Sequence, residues 1–79
     1  MDETINQVAA IFADVAEMPM ERLDRSTRFR DQDDVDSLDL ANFFSDVEDE
    51  LGVDLPDRKC AEFDTLGDVA DYIDAQRDA

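Results

Sequence analysis

Apolar residues recur at helical spacing in three separate segments of this 79-residue chain, and this pattern predicts three main helices and no strands. The first stripe consists of Ile5, Val8, Phe12, Val15 and Ala16. The second consists of Leu40, Phe43, Phe44, Val47 and Leu51. The third consists of Leu66, Val69, Ala70 and Ile73, with Tyr72 at its flank. Each stripe marks one face of a helix that packs on a shared core, so we expect an all-α fold.

Local signals set the ends of the first helix. Thr4, with Gln7 three residues later, predicts a capping box at its start. Pro19 predicts that the helix ends near Glu17 or Met18, since proline cannot continue a helical hydrogen-bond ladder.

Residues 18–35 have no sustained apolar period and are interpreted as one long connection. Leu23 and Phe29 are its predicted anchors in the core. A connection of this length in a small domain is usually functional or packed down by its own side chains.

The end of the chain predicts one short helix and one long one. Between Pro56 and Asp64 there is room only for a short turn of helix, anchored by Phe63. The last helix is predicted to begin at Thr65, with Asp68 in its first turn. We therefore expect residues 1–79 to form a single domain, a small four-helix bundle of three main helices and one short one with a long first loop.

Composition limits the classes of protein that this chain can belong to. A chain of 79 residues buries only about 60% of the surface that its unfolded form exposes, and 43% hydrophobic residues suffice for such a thin core. The single Cys60 excludes an internal disulfide and a cysteine-cluster metal site, and we interpret it as a small buried apolar residue. Without a long apolar run or a secretory signal, the sequence predicts a cytoplasmic protein that does not insert into membranes.

The net charge is the second strong constraint. There are 23 acidic residues against seven basic ones, for a formal charge of −16, and residues 31–57 contain no basic residue. Such a surface disfavours nucleic acids and anionic lipids as partners, and attracts proteins with basic patches. Acidity that serves solubility alone remains an alternative.

The second helix presents an acidic face beside its core stripe. At about 100° per residue, this face is formed by Asp39, Asn42, Asp46, Asp49 and Glu50. A third sector, next to the acidic one, contains Leu38, Ala41 and Ser45. The same geometry leaves Leu38 exposed among carboxylates, where it is a plausible docking contact.

The start of this helix carries the candidate site. Asp36 is predicted to be the N-cap and Ser37 the first helical residue, with its hydroxyl in solvent. The chain contains no histidine that could activate the hydroxyl, so Ser37 is a poor catalyst but a good attachment point. A phosphate is well tolerated at a helix N-terminus, whereas the neighbouring carboxylates oppose it.

Several motifs together resemble the acyl carrier protein family across nearly the whole chain. Asp36-Ser37-Leu38 is similar to the motif whose serine carries 4′-phosphopantetheine in that family. The motif is followed, at the expected separations, by an acidic helix with Glu48, by Gly52-Val53-Asp54-Leu55-Pro56, by Thr65-Leu66-Gly67-Asp68 and by Asp71-Tyr72-Ile73. Phe29 in the long loop fits the family as well.

The resemblance implies a non-catalytic, monomeric carrier. A magnesium-dependent phosphopantetheinyl transferase would attach 4′-phosphopantetheine from coenzyme A to Ser37, and synthase, ligase or acyl-transferring enzymes with basic patches would then use the loaded protein. Asp36, Leu38, Asp39 and Glu48 match family positions that partner enzymes commonly recognise, and Asp46 and Asp49 extend the acidic stripe. The resemblance implies no metal site in the chain itself.

Two departures from the family pattern suggest a specialised carrier. Asp33-Asp34 stands where the family usually has Leu-Gly, which removes a packing anchor and a freely adopted turn. Ala41 and Ser45 stand where many fatty-acid carriers have larger apolar residues.

Other functions stay open beside this hypothesis. A peptidyl or aminoacyl carrier, or an unmodified acidic interaction module, would use the same fold. A calcium loop read from Asp31 fails, because Val35, Asp36 and Asn42 occupy positions five, six and twelve, where the motif needs an oxygen ligand, glycine and glutamate.

Overall fold

Four helices account for most of the chain in the computed structural model, which describes residues 3–32 and 35–78. They are α1 (Glu3–Ala16), α2 (Ser37–Leu51), α3 (Asp57–Cys60) and α4 (Leu66–Asp78). Two 3₁₀ turns, Met20–Arg22 and Phe29–Asp31, lie in the long connection between α1 and α2. No strand occurs among the described residues, so the predicted all-α bundle of three main helices and one short helix is confirmed. None of these helices is long and apolar enough to cross a membrane.

The three predicted stripes form one core, in which α1 packs against both α2 and α4. The fully buried side chains of the stripes are Ile5, Val8, Phe12, Phe43, Val47, Leu66, Val69, Ala70 and Ile73. The other stripe residues, Val15, Ala16, Leu40, Phe44 and Leu51, are partly buried against this core. The periodicity of the sequence therefore identified the core face of each long helix.

The start of α1 differs from the prediction. The helix begins at Glu3, so Thr4 lies inside it and the capping box predicted at Thr4 is wrong. Thr4 is buried, and its hydroxyl donates a hydrogen bond to Asp74 of α4 with an O–O distance of 2.5 Å. A tertiary contact thus uses the hydroxyl that the local pattern assigned to the helix end.

The end of α1 is closed by a residue in an unusual conformation. The helix ends at Ala16, and Glu17 then adopts a left-handed conformation with φ of 56°. The amide of Met18 donates to the carbonyl oxygen of Ala13 at 2.9 Å, as in a Schellman-type helix end. The predicted stop near residues 17–18 is therefore correct to within one or two residues.

Aromatic rings tie the long connection to the core. Phe29 is fully buried, and its ring centroid lies 6.4 Å from that of Phe12 and 5.9 Å from that of Phe43. Phe44 approaches the same ring edge-on at 5.8 Å. Leu23 is half-buried against the core. Both predicted anchors are confirmed, and Phe29 fixes the end of the connection that leads into α2.

The same connection docks on the start of α4 through its backbone. The carbonyl oxygen of Arg25 accepts the amide hydrogen of Gly67 at 2.9 Å, and that of Thr27 accepts the amide hydrogen of Leu66 at 3.1 Å. Thr65 and Asp68 exchange side-chain to backbone bonds of 3.1 Å each, which cap α4. These contacts confirm the predicted start of the last helix to within one residue.

Candidate functional site

Ser37 is the first residue of α2, and its exposed hydroxyl forms no hydrogen bond to any described residue. Asp36 is the N-cap, as predicted, and its carboxylate accepts the amide hydrogen of Asp39 at 2.9 Å. The carboxylate of Asp39 in turn accepts the amide hydrogen of Asp36 at a longer distance of 3.4 Å. This reciprocal capping box fixes the backbone on both sides of Ser37 and leaves its hydroxyl available.

The side chain after Ser37 has the predicted exposure. Leu38 is 67% exposed, although large apolar residues usually lie inside a fold. Ala41 and Ser45, which share its sector of the helix, are exposed as well. The structure therefore confirms an apolar side chain in solvent next to Ser37.

The acidic face of α2 is also oriented as predicted. Asn42, Asp49 and Glu50 are exposed, while Asp39 and Asp46 are half-buried. Within the described residues none of these carboxylates forms an ion pair. The face is thus a continuous negative surface along the helix that begins at Ser37.

Glu48 lies apart from this face. Its carboxylate accepts the amide hydrogen of Leu55 at 2.9 Å, and Leu55 is buried. The chain reaches that point after Gly52, which ends α2 in a left-handed conformation with φ of 65°. Glu48 therefore has a structural partner within the fold, in the segment that leads to α3.

A groove that sequence reasoning missed runs beside Ser37. It has a volume of about 290 Å³ and is lined by Leu40, Ala41 and Phe44 of α2, by Cys60 next to Ala61, and by Ser37 itself. Arg30, from the long connection, and Asp57 supply the charged groups of its wall. Because these residues lie on three separate segments, no periodic or motif signal could have brought them together.

Arg30 joins the long connection to the segment around α3. Its Nε donates to the carbonyl oxygen of Phe63 at 3.1 Å, and its Nη2 donates to that of Cys60 at 2.6 Å. The guanidinium carbon also lies 5.3 Å from the centroid of the Phe29 ring. These contacts hold the cation in the wall of the groove.

Cys60 is a buried thiol, as predicted, and its Sγ lies 3.7 Å from the carbonyl oxygen of Leu55. Burial raises the pKa of the Cys60 thiol, and the negative charges of Asp57 and Glu48 raise it further, while Arg30 lowers it. The thiolate is the nucleophilic form of cysteine, so this thiol is a weak nucleophile.

The remaining features lie away from the serine or outside the described chain. Asp33 and Asp34, which replace the usual Leu-Gly pair, are outside the described residues. Within residues 3–32 and 35–78, no group of three acidic, cysteine or histidine residues could hold a metal ion. A larger cleft of about 420 Å³ between α1 and the end of α2 contains none of the predicted site residues.

Comparisons with known proteins find both a matching protein family and similar individual proteins. The protein-family profile described as "Phosphopantetheine attachment site" matches residues 6–73. The acyl carrier protein of Lactobacillus acidophilus is 33% identical over 72 residues, which cover 91% of this chain and 90% of that protein. Ser37 and the helix that follows it lie within the matched region.

Proposed function

The chain belongs to the acyl carrier protein family, and from this premise we propose that Ser37 is the residue that carries its 4′-phosphopantetheine group. The family binds this group covalently, and its members are carriers that other enzymes modify and use rather than catalysts. We propose that the cargo is an acyl group of fatty acid, polyketide or related biosynthesis.

The position of Ser37 is the observation that carries this proposal. The residue lies at the first position of a 15-residue helix, and its hydroxyl is exposed and free of hydrogen bonds within the described chain. A transferase can therefore approach the hydroxyl without opening the fold. The chain contains no histidine, the usual general base, and we propose that the transferase supplies the base for attachment.

The residues around Ser37 fit the group that the family carries. When attached, 4′-phosphopantetheine supplies a thiol at the end of a long flexible arm, on which cargo is held as a thioester. The capping box of Asp36 and Asp39 holds the attachment point at a defined place at the end of α2. The apolar side chains of Leu40 and Phe44 line the adjacent groove, where a short apolar cargo would be sheltered from water.

Partner recognition is proposed for the surface of α2. It would use Asp36, Leu38, Asp39, Asp46, Glu48 and Asp49, and the transferase and synthase enzymes would contribute basic patches. Asp36, Asp39 and Glu48 also accept backbone hydrogen bonds, so their substitution would disturb the fold as well as docking. Asp46 and Asp49 make no such bond among the described residues and are therefore the better probes.

Charge reversal at Asp46 and Asp49 should slow attachment at low salt. The double variant Asp46→Lys/Asp49→Lys should reduce the rate of transfer to Ser37 by about 5- to 50-fold at low salt, mainly through slower association. The defect should shrink as salt screens the charges. Stopped-flow or quenched-flow assays with a phosphopantetheinyl transferase measure both effects.

The matched control changes the net charge by the same amount elsewhere. Glu21→Lys/Asp78→Lys replaces two exposed acidic residues outside α2 and should change the rate far less. If both double variants slow transfer equally, only overall charge matters, and α2 is not a docking surface.

Leu38→Ala should weaken docking with little salt dependence, because it removes an apolar contact.

The exposed residues next to Leu38 support a specialised role. Ala41 and Ser45 give α2 a smaller apolar contact area than a surface with larger apolar residues would have. We therefore propose that this carrier serves a dedicated set of enzymes. A carrier of peptidyl or aminoacyl groups is the alternative.

Acyl loading tests the proposed function directly. The protein is first loaded from coenzyme A by a transferase with magnesium, and an acyl-transferring enzyme then adds a fatty acyl group. Intact mass spectrometry should show one acyl group, and neutral hydroxylamine should remove it, since thioesters are cleaved under conditions that spare oxygen esters. Cys60→Ala should be acylated equally, because the buried Cys60 thiol is not the acceptor. Acylation that disappears in Cys60→Ala would contradict the proposal.

A further inference from the structure

The groove beside Ser37 contains a cation, Arg30, that forms no ion pair with any carboxylate of residues 3–32 and 35–78. Both hydrogen bonds of Arg30 go to neutral carbonyl oxygens, those of Cys60 and Phe63. Within the described chain no carboxylate pairs with Arg30, whereas Arg28 of the same segment pairs with Asp31 at 2.9 Å. A guanidinium has five N–H donors, so three of those of Arg30 have no acceptor among the residues that the structure describes.

The guanidinium is also held in place before any ligand arrives. Its two carbonyl bonds connect positions 30 and 33 residues apart in the sequence, and the Phe29 ring lies 5.3 Å away. A group that is fixed in advance loses little conformational entropy when it binds. Arg30 is therefore a positioned donor and not a free surface side chain.

The surroundings of Ser37 create a need for such a donor. Asp36 and Asp39 flank the serine, and Asp57 lines the same groove. The capping box restrains both flanking carboxylates, which cannot swing away without uncapping α2. A phosphodiester on Ser37 adds one more negative charge at this point, where Arg30 is the only basic residue that lines the groove in the described chain.

We infer that Arg30 binds the phosphodiester that joins the 4′-phosphopantetheine arm to Ser37. The donors left free by the two carbonyl bonds make charge-assisted hydrogen bonds to the phosphate oxygens, for which the guanidinium fork is well shaped. Arg30 thereby offsets the carboxylates and holds the base of the arm against the groove. This inference deepens the proposed function and rests on it.

A thermodynamic cycle separates this contact from the structural role of Arg30. Melting temperatures are measured for the unloaded and loaded forms of the wild type, Arg30→Gln and the control Arg28→Gln. Loss of the carbonyl bonds affects both forms of Arg30→Gln and cancels in the difference between loaded and unloaded protein. For Arg30→Gln, the melting temperature of the loaded form minus that of the unloaded form should be about 2–6 °C lower than the same difference in the wild type at low salt. This gap between variant and wild type should shrink at high salt. Arg28→Gln, whose side chain does not line the groove, should match the wild type.

A loaded-minus-unloaded difference that is the same in the wild type and Arg30→Gln would overturn the inference. If no adduct forms on the wild type, the proposed function fails instead, so the two failures are distinguishable. If Arg30→Gln does not fold, a measurement on the wild-type protein alone tests the inference. The side-chain Nε–H resonance of ¹⁵N-labelled Arg30 should shift on loading while that of Arg28 does not, and an unchanged Arg30 resonance would overturn the inference.

Discussion

At the scale of single residues, the site consists of a serine hydroxyl that is well placed for modification but is not activated by a neighbouring histidine. The chain has no histidine that could activate Ser37, and Asp36 and Asp39 fix the backbone around it through two reciprocal hydrogen bonds. The only cysteine is buried, and burial raises the pKa of its thiol, so it does not compete as a nucleophile. The chain thus presents one accessible hydroxyl at a defined place and leaves the chemistry to other proteins.

The carboxylate that caps α4 gives a pH-dependent prediction. Asp68 accepts the amide hydrogens of Asp64 and Thr65, and these bonds favour the charged form and lower the pKa of the Asp68 carboxyl. The unfolded state then binds more protons, so this stabilisation is present above the unfolded pKa of about 3.9 and is lost as the pH falls through the folded value.

Asp68→Asn should therefore lower the melting temperature by about 2–4 °C at pH 7, and by less as the pH falls below about 4. Thermal melts followed by circular dichroism across this range provide the measurement. Asp49→Asn removes the same charge from an exposed side chain and should leave the melting temperature unchanged or slightly raised. A deficit in Asp68→Asn that is as large at pH 3 as at pH 7 would contradict the assignment.

At the scale of elements, the long connection is a packed part of the fold. Phe29 packs against the rings of Phe12 in α1 and Phe43 in α2, and backbone hydrogen bonds attach the connection to the start of α4. Gly67 permits this approach, since a Cβ there would lie 2.8 Å from the carbonyl oxygen of Arg25. The connection that leads to Ser37 is therefore held from two sides.

Gly67→Ala tests this docking by the sign of its effect. Helix propensity alone would make alanine more stable by about 1 kcal/mol in α4. The contact with Arg25 should outweigh that gain and give a net loss of about 1–2 kcal/mol in the free energy of unfolding. Urea denaturation measures the difference, and a stabilised variant would show that the connection does not pack against α4 as described.

The sequence predicted those elements whose signals are local and repeated. The stripes of α1, α2 and α4 were found because burial on one helix face imposes a regular spacing. The capping box at Thr4 was wrong because the hydroxyl serves a contact with Asp74, 70 residues away. The carbonyl bonds of Arg30 could not be predicted either, since they join positions 30 and 33 residues apart. The groove could not be predicted because three separate segments line it without any repeated pattern. Ser37 was found only because a short motif coincided with other family features along the chain.

At the scale of the whole molecule, a compact body carries a large charge of one sign. The radius of gyration of the Cα atoms is 11.4 Å, close to the roughly 11.6 Å expected for a compact chain of this length. The formal charge of −16 is concentrated near the site, because residues 31–57 contain no basic residue. Self-repulsion of these charges opposes the folded state while it favours encounter with basic partners.

Salt should therefore stabilise this protein. Raising the ionic strength from about 0.01 M to about 0.15 M shortens the screening length from about 30 Å to about 8 Å and should raise the melting temperature by several degrees. Millimolar divalent cations should act in the same direction. A melting temperature that stays flat or falls over this range would show that local pairing already neutralises the charges.

Intact mass spectrometry of Ser37→Ala tests the central claim most directly. The wild type, Ser37→Ala and the control Ser45→Ala, which alters another exposed serine of α2, are each incubated with coenzyme A, magnesium and a phosphopantetheinyl transferase of broad specificity. The wild type and Ser45→Ala should each gain one phosphopantetheine group, whereas Ser37→Ala should gain none and keep the same helical circular dichroism. Modification that persists in folded Ser37→Ala, or a wild type that stays unmodified while another carrier protein is modified in parallel, would contradict the account.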